Sequence, residues 1–144
     1  HVPEEAYEIE FGKAAVVREG TDITIVGITK MVHDSVKAAE QLTAEGLSVE
    51  VIDPRSVSPL DTDTILASVS KTGRLLIADE CFAQYGIGAE IAARVVDTGF
   101  DDLDAPIKRL NGAFTPTPYS PTLEQAIVPS VDDIVAAVRE LAAE

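Results

Sequence analysis

The chain alternates short β-branched runs with longer stretches whose apolar residues recur at helical spacing. That pattern predicts a parallel sheet covered by helices on both faces. Ala14–Arg18 reads as a first short strand, and the turn cluster Glu19-Gly20-Thr21-Asp22 is tight enough for a hairpin into Ile23–Val26. The first strand is therefore expected to lie antiparallel beside the second. Val32, Val36, Ala39 and Leu42 fall on one helical face, and Gly46 stands where a left-handed C-terminal cap is wanted. Strand Ser48–Ile52 follows, then a short helix Thr62–Ser70 capped by Asp61 and ended by Gly73, then a buried strand Arg74–Ala78 that ends at Asp79-Glu80. Ile87, Ile91 and Val95 mark another helix that closes near Gly99, and Ile107–Leu110 supplies the last strand. The segment Thr115-Pro116-Thr117-Pro118-Tyr119-Ser120-Pro121 must be extended, because proline disfavours helix in the preceding residue and removes a donor. The best-signalled helix starts at Ser130 with Asp132 and Asp133 in a capping-box-like arrangement, and its apolar face is Ile134, Val135, Val138 and Leu141.

The length of 144 residues suits one domain, and 46% apolar with 25% charged residues describes a folded globule rather than a disordered tail. A net charge of −14 repels phosphate backbones and anionic lipid, so no nucleic-acid or membrane partner is expected and a basic partner is. A single cysteine, Cys81, excludes an internal disulfide framework and fits a reducing compartment. No apolar run approaches the ~18 residues of a membrane span. The chain starts at His1 rather than Met, which reads as a processed chain or a fragment, with residues 1–12 as a linker or the start of the first strand and residues 13–144 as the domain.

In an open α/β sheet, ligands bind beyond the carboxyl ends of the parallel strands. Those ends carry Asp53, Asp79 and Glu80, which could be gathered as a carboxylate cluster for metal binding or acid–base work. Asp is equally a favoured turn and cap residue, no His joins the three, and turn and capping roles are expected instead. His33 sits within a helix with no ligand or triad partner beside it in sequence. Gly86-Ile87-Gly88 lacks the third glycine of a dinucleotide turn, so close backbone approach at an uncapped helix start is expected. Cys81 follows two carboxylates, which raise rather than lower a thiol pKa and argue against a nucleophile. No complete catalytic constellation is present, and neither catalytic, cofactor-binding nor metal-ligating residues are expected.

Specific strings carry more than the periods. Gly12-Lys13-Ala14, Arg18-Glu19-Gly20-Thr21-Asp22-Ile23-Thr24-Ile25-Val26 and Val51-Ile52-Asp53-Pro54-Arg55-Ser56-Val57-Ser58-Pro59-Leu60-Asp61 occur in order, followed by Lys71-Thr72-Gly73-Arg74-Leu75-Leu76 and Gly88-Ala89-Glu90-Ile91. Leu103-Asp104-Ala105-Pro106-Ile107, Thr115-Pro116-Thr117-Pro118-Tyr119 and Pro129-Ser130-Val131-Asp132-Asp133-Ile134 complete the set. Together they resemble, almost end to end, the C-terminal domain of the β subunit of thiamine-diphosphate-dependent 2-oxo acid dehydrogenases, in the transketolase C-terminal domain family. The resemblance implies a three-layer α/β/α sandwich with a five-stranded, mostly parallel sheet and one antiparallel strand. It implies an intact enzyme that decarboxylates a 2-oxo acid, pyruvate-like, on thiamine diphosphate and Mg²⁺ and passes the acyl group to a lipoyl arm. In such enzymes the cofactor is held by other parts of the assembly, so this section is expected to bind none and to be inactive alone.

The implied partners are a second β subunit and α subunits in an α₂β₂ assembly, and the basic peripheral subunit-binding domain of an acyltransferase core. The family's acidic docking position falls on Asp104, with Glu140 and Glu144 of the last helix as secondary docking candidates. The implied location is the bacterial cytoplasm or the mitochondrial matrix. The alternatives are another transketolase-superfamily enzyme, against which the Thr-Pro-Thr-Pro-Tyr and Leu-Asp-Ala-Pro strings argue, and a free-standing flavodoxin-like module using the Asp53/Asp79/Glu80 edge.

Overall fold

The computed structural model describes residues 4–144, and the expected linker opening His1-Val2-Pro3 lies outside the described residues. Five strands, β1 (Ala15–Arg18), β2 (Ile23–Gly27), β3 (Val49–Asp53), β4 (Leu75–Phe82) and β5 (Lys108–Gly112), form one sheet in the order β1-β3-β2-β4-β5. All pairings are parallel except β1 with β3. Helices α1 (Lys30–Thr43) and α5 (Val131–Ala142) cover one face, while α2 (Thr62–Thr72) and α3 (Ile87–Gly99) cover the other. A 3-10 turn (Phe100–Asp102) extends α3, and a short α4 (Pro121–Ile127) precedes α5. This is the three-layer α/β/α sandwich expected.

Strand alternation explains the two layers. Ile23, Ile25, Val49, Val51, Leu76 and Ala78 point to the α1/α5 side, where Met31, Leu42, Ile134 and Val138 meet them. Val26, Ile52, Leu75 and Ile77 point to the α2/α3 side against Ile65, Val69, Ile91 and Val95. The central strands are buried on both faces, so they read as near-continuous apolar runs.

One expectation is corrected. The first strand is antiparallel, but its partner is β3 and not β2. Both edges of β2 are taken by β3 and β4, so the connection Glu19–Asp22 steps across the start of β3 instead of turning a hairpin. The N–H groups of Thr21 and Asp22 donate to the Ser48 carbonyl at 3.1 and 2.8 Å, and the Ser48 N–H returns to Asp22 Oδ2 at 2.8 Å. The crossing needs Gly20, where a Cβ would stand 2.2 Å from the Glu50 nitrogen.

The helix ends follow their signals. Asp61 caps α2 by accepting from the Thr64 N–H at 3.1 Å, and Gly73 ends it at φ +70°. Gly46 closes α1 at φ +84°, with the Leu47 N–H reaching the Leu42 carbonyl at 3.1 Å. Ser130 and Asp133 form the expected capping box. Helix α4 has no counterpart in the sequence reading: the chain is extended through Ser120, and Pro121 is the first helical residue, where a missing N–H costs nothing.

Candidate functional site

At the carboxyl edge of the sheet the three acidic residues are brought near one another in the strand order, yet each is engaged locally. Asp53 Oδ1 accepts from the Arg55 N–H at 2.8 Å, the Asx turn typical of Asp at a strand end. Asp79 is completely buried, its Oδ1 accepts from the Cys81 N–H at 3.0 Å, and its Oδ2 has no partner. Glu80 Oε1 accepts from Thr29 Oγ1 at 2.6 Å, which ties the loop after β2 to the end of β4. No group of three His, Cys, Asp or Glu side chains converges to hold a metal among the described residues. A Mg²⁺–diphosphate pair needs several free oxygen ligands on one side, and these carboxylates, turned into separate turns and tethers, do not fit it.

Cys81 is exposed, and the Asp79 carboxylate, followed by partial burial and the Glu80 carboxylate, holds its thiol above the ordinary range. His33 lies exposed on α1. Gly86 begins α3 without a side-chain cap, and a Cβ on Gly88 would press Ile77 Cγ2 at 3.2 Å, so the Gly-Ile-Gly string serves close helix-to-sheet packing.

A cavity of about 640 Å³ on this edge lies between the start of α1, α4 and the start of α5. Both its lysines, Lys30 and Lys37, are spent on Asp34. Burial opposes ionisation of Asp34, but hydrogen bonds from the two lysines outweigh it and hold the carboxyl below its usual range.

Beside this cavity the edge changes character. The end of β4 and the loops after β4 and β5 present Phe82, Tyr85, Phe114 and Tyr119, with Tyr85 and Tyr119 fully exposed and Phe114 74% exposed. Phe82 and Phe114 meet edge to face at 5.2 Å between ring centres, and with Thr115 and Pro116 they line a notch of about 240 Å³. Tyr85 is held at φ +59°, an uncommon conformation for a bulky residue. Arg109 of β5 donates to the Ala83 carbonyl at 3.0 Å beside these rings, and exposed aromatics with a neighbouring arginine have the composition of a protein–protein contact. The sequence reading missed this rim, although a signal was present: residues 81–89 and 110–123 carry no charged side chain in a chain that is 25% charged.

The preceding chain joins the same edge. Because β1 is antiparallel, Ala15 lies beside Asp53 at the carboxyl end of β3. Gly12 donates to Ser56 Oγ at 2.9 Å and Ala14 to Asp61 Oδ2 at 2.9 Å, so residues before β1 leave from that end with Tyr7, Ile9 and Phe11 exposed.

Asp104 lies at the opposite end of the sheet. Its N–H donates to the Gly73 carbonyl at 2.8 Å, and its carboxylate occupies the space where a Cβ on Gly73 would fall. The side chain is exposed in the turn between the 3-10 turn and β5. Glu140 is exposed on α5 and ion-paired with Lys108 of β5, whereas Glu144 is exposed beyond the helix end. The described residues contain no helix long and apolar enough to cross a membrane.

The chain is 49% identical over 99% of its length to the acetoin:2,6-dichlorophenolindophenol oxidoreductase subunit beta of Bacillus subtilis, of which it covers 42%. It is 49% identical over 96% of its length to a mitochondrial pyruvate dehydrogenase E1 component subunit beta-2 of Oryza sativa, of which it covers 37%, and 46% identical over 97% to the pyruvate dehydrogenase E1 component subunit beta of B. subtilis, of which it covers 43%. The chain thus spans about two fifths of the length of these curated relatives. Among solved structures it is similar to one described as a split-gene transketolase, inactive beta4 tetramer, with TM-score 0.79 and 27% identity over 95% of this chain and 43% of that one. Residues 12–134 match the family model described as "Transketolase, C-terminal domain", and the chain belongs to that family.

Proposed function

We propose that this chain, with residues 13–144 as its domain and residues 1–12 as a linker or the start of the first strand, is the C-terminal assembly and docking section of the β subunit of a thiamine-diphosphate-dependent 2-oxo acid dehydrogenase, pyruvate dehydrogenase-like. The observation that carries the reading is its identity of 46–49% over nearly the whole chain to β subunits of pyruvate dehydrogenase and of the acetoin oxidoreductase. The intact enzyme decarboxylates the 2-oxo acid and delivers the acyl group to a lipoyl arm, in the cytoplasm or the mitochondrial matrix. Thiamine diphosphate and Mg²⁺ are held by other parts of that enzyme, a division supported by the engagement of Asp53, Asp79 and Glu80 in turns and tethers.

In this reading the aromatic rim is the assembly face, toward the remainder of the β subunit, its β partner and α subunits in an α₂β₂ arrangement. The side of the fold that bears Asp104 docks the basic subunit-binding domain of the acyltransferase core, with Glu140 and Glu144 adding charge. Glu140 would have to exchange its Lys108 partner for one on the docked domain.

Reconstitution tests the whole. A complete β subunit containing this section, mixed with its α subunit, thiamine diphosphate and Mg²⁺, should release CO₂ from pyruvate, and this chain by itself should not. CO₂ release by the isolated chain would overturn the division of labour. Ketol transfer by the reconstituted enzyme in place of decarboxylation would move it to the transketolase branch. Tight calorimetric binding of Mg²⁺, nucleotide or flavin by the chain would instead favour a flavodoxin-like module.

A further inference from the structure

An apolar groove of about 630 Å³ runs between α3 and the turn that leads into β5. Its floor and walls are Ala92, Ala93, Val96, Phe100, Leu103 and Pro106, with Asp104 at its rim. The small residues of α3 leave the space, and Phe100, 66% exposed, stands up as one wall. From Val95 to Ile107 the chain holds Asp97, Asp101, Asp102 and Asp104 and not one Lys or Arg. All four aspartates are exposed, and none takes part in an ion pair among the described residues. Asp104 lines this apolar trough, and the other three unpaired aspartates lie on the adjoining α3 and 3-10 turn, an arrangement complementary to one kind of occupant: an apolar side chain flanked by cations. A second copy of this chain is disfavoured there, because a two-fold contact through the groove would turn the same aspartates toward each other on a molecule already at −14.

We infer that the groove is the anchor pocket of the docking face: a basic helical segment inserts an aliphatic or aromatic side chain between Ala93 and Phe100 while its Lys and Arg residues meet the four aspartates. The inference rests on the docking reading and goes beyond it, because it divides the work. A desolvated side chain in a pocket governs how slowly the complex dissociates, and rim charges govern how fast it forms and how strongly salt weakens it.

The test uses the assembled dehydrogenase component and the basic subunit-binding domain, with association and dissociation rates followed by surface plasmon resonance from low to physiological salt. Ala93→Gln fills the groove from an exposed helical position that tolerates it, and its melting temperature serves as the folding control. It should weaken binding at least tenfold through faster dissociation and leave the salt dependence intact. Asp101→Asn with Asp102→Asn should slow association severalfold at low salt, flatten the salt dependence and leave dissociation nearly unchanged.

Wild-type dissociation from Ala93→Gln while Asp104→Lys still weakens binding would overturn the groove and keep the docking face. Unchanged binding by both Ala93→Gln and Asp104→Lys would remove the docking reading as well. A change of oligomeric state in Ala93→Gln with partner binding unaltered would assign the groove to a second copy and overturn the inference.

Discussion

The two ends of the sheet use the same kinds of residue for opposite purposes. At the amino end Glu50, 1% exposed on β3, is fully enclosed: it accepts from the Gly20 N–H at 3.2 Å, from the Ser68 hydroxyl and from the Lys71 ammonium. Thr24 on the neighbouring strand extends the network to Ser68 at 2.6 Å and to Thr72 at 2.7 Å. These side chains tie β2, β3, the crossing loop and the last turn of α2 together. At the carboxyl end Asp53 and Asp79 are dispersed into turns and Glu80 into a tether, and the exposed surface beside them is dominated by aromatic rings. A polar group locked into a closed network specifies the fold, whereas large apolar groups left in solvent have no role inside this domain. Acidic residues at strand ends are therefore a poor guide to a site until their hydrogen bonds are counted.

If that contrast is right, the largest loss of stability follows Glu50→Ala. It leaves the Gly20 N–H and the Ser68 hydroxyl without their acceptor, and Lys71, which is partly exposed, turns to water; the expected cost is about 2–4 kcal/mol in urea unfolding. A cost below 0.5 kcal/mol would reduce the network to surface decoration. Next comes Asp61→Ala, which removes the α2 cap and the acceptor that holds Ala14 at the entry to β1, for about 1–2 kcal/mol. Asp61→Asn should recover the cap from Thr64 and only part of the rest, because both carboxylate oxygens are used.

The same contrast has a pH signature. Burial opposes ionisation of Glu50, but Lys71, Ser68 and the Gly20 N–H outweigh it and hold the carboxyl below its ordinary value. Its contribution is complete above the unfolded pKa of about 4.3 and is lost as pH falls through the lower folded value. The hydrogen bond from Lys71 to Glu50 raises the lysine against partial desolvation, so that contribution is present below about 10.4 and is lost as pH rises through the higher folded value. Glu50→Gln should therefore flatten both the acid and the alkaline limbs of the stability profile. Substitutions of the rim aromatics should flatten neither, and an unchanged acid limb in Glu50→Gln would contradict this account.

Much of this fold was legible in the chain because its strongest signals are local. Asp61, Gly73, Gly46 and the Ser130–Asp133 box act within a few residues of where they stand, and α1, α3 and α5 announce their buried faces by period. The partner of β1 was not legible, since the turn Glu19–Asp22 is compatible with a hairpin and only the full strand order shows that β2 has no free edge. Helix α4 was hidden for a different reason: it buries no side chain, so it has no apolar period, and its proline reads as a breaker until seen at the first helical position. Among the site residues, the turn roles of Asp53 and Asp79 followed from residue type, whereas Glu80, expected in a turn or cap, instead tethers the loop after β2. The groove did not, because Ala92, Phe100 and Pro106 meet only when the 3-10 turn folds back on α3.

The smallest expected effect on stability is the sharpest test of the rim. Tyr85 is fully exposed and held at φ +59°, a conformation that favours glycine. A side chain retained there for the fold would have to make contacts worth more than the strain, and a fully exposed ring makes few. Tyr85→Gly relieves the backbone but enlarges the unfolded ensemble, so the two terms nearly cancel and stability should change by less than about 1 kcal/mol in either direction. Assembly should respond differently. If the ring is an anchor of the assembly face, the same substitution should weaken association of a complete β subunit with its partners at least tenfold in sedimentation equilibrium, while the melting temperature of the domain stays close to its original value. Loss of stability without loss of assembly would show that the ring serves the domain, and the distinction between the two ends of the sheet would then fail at its most exposed residue.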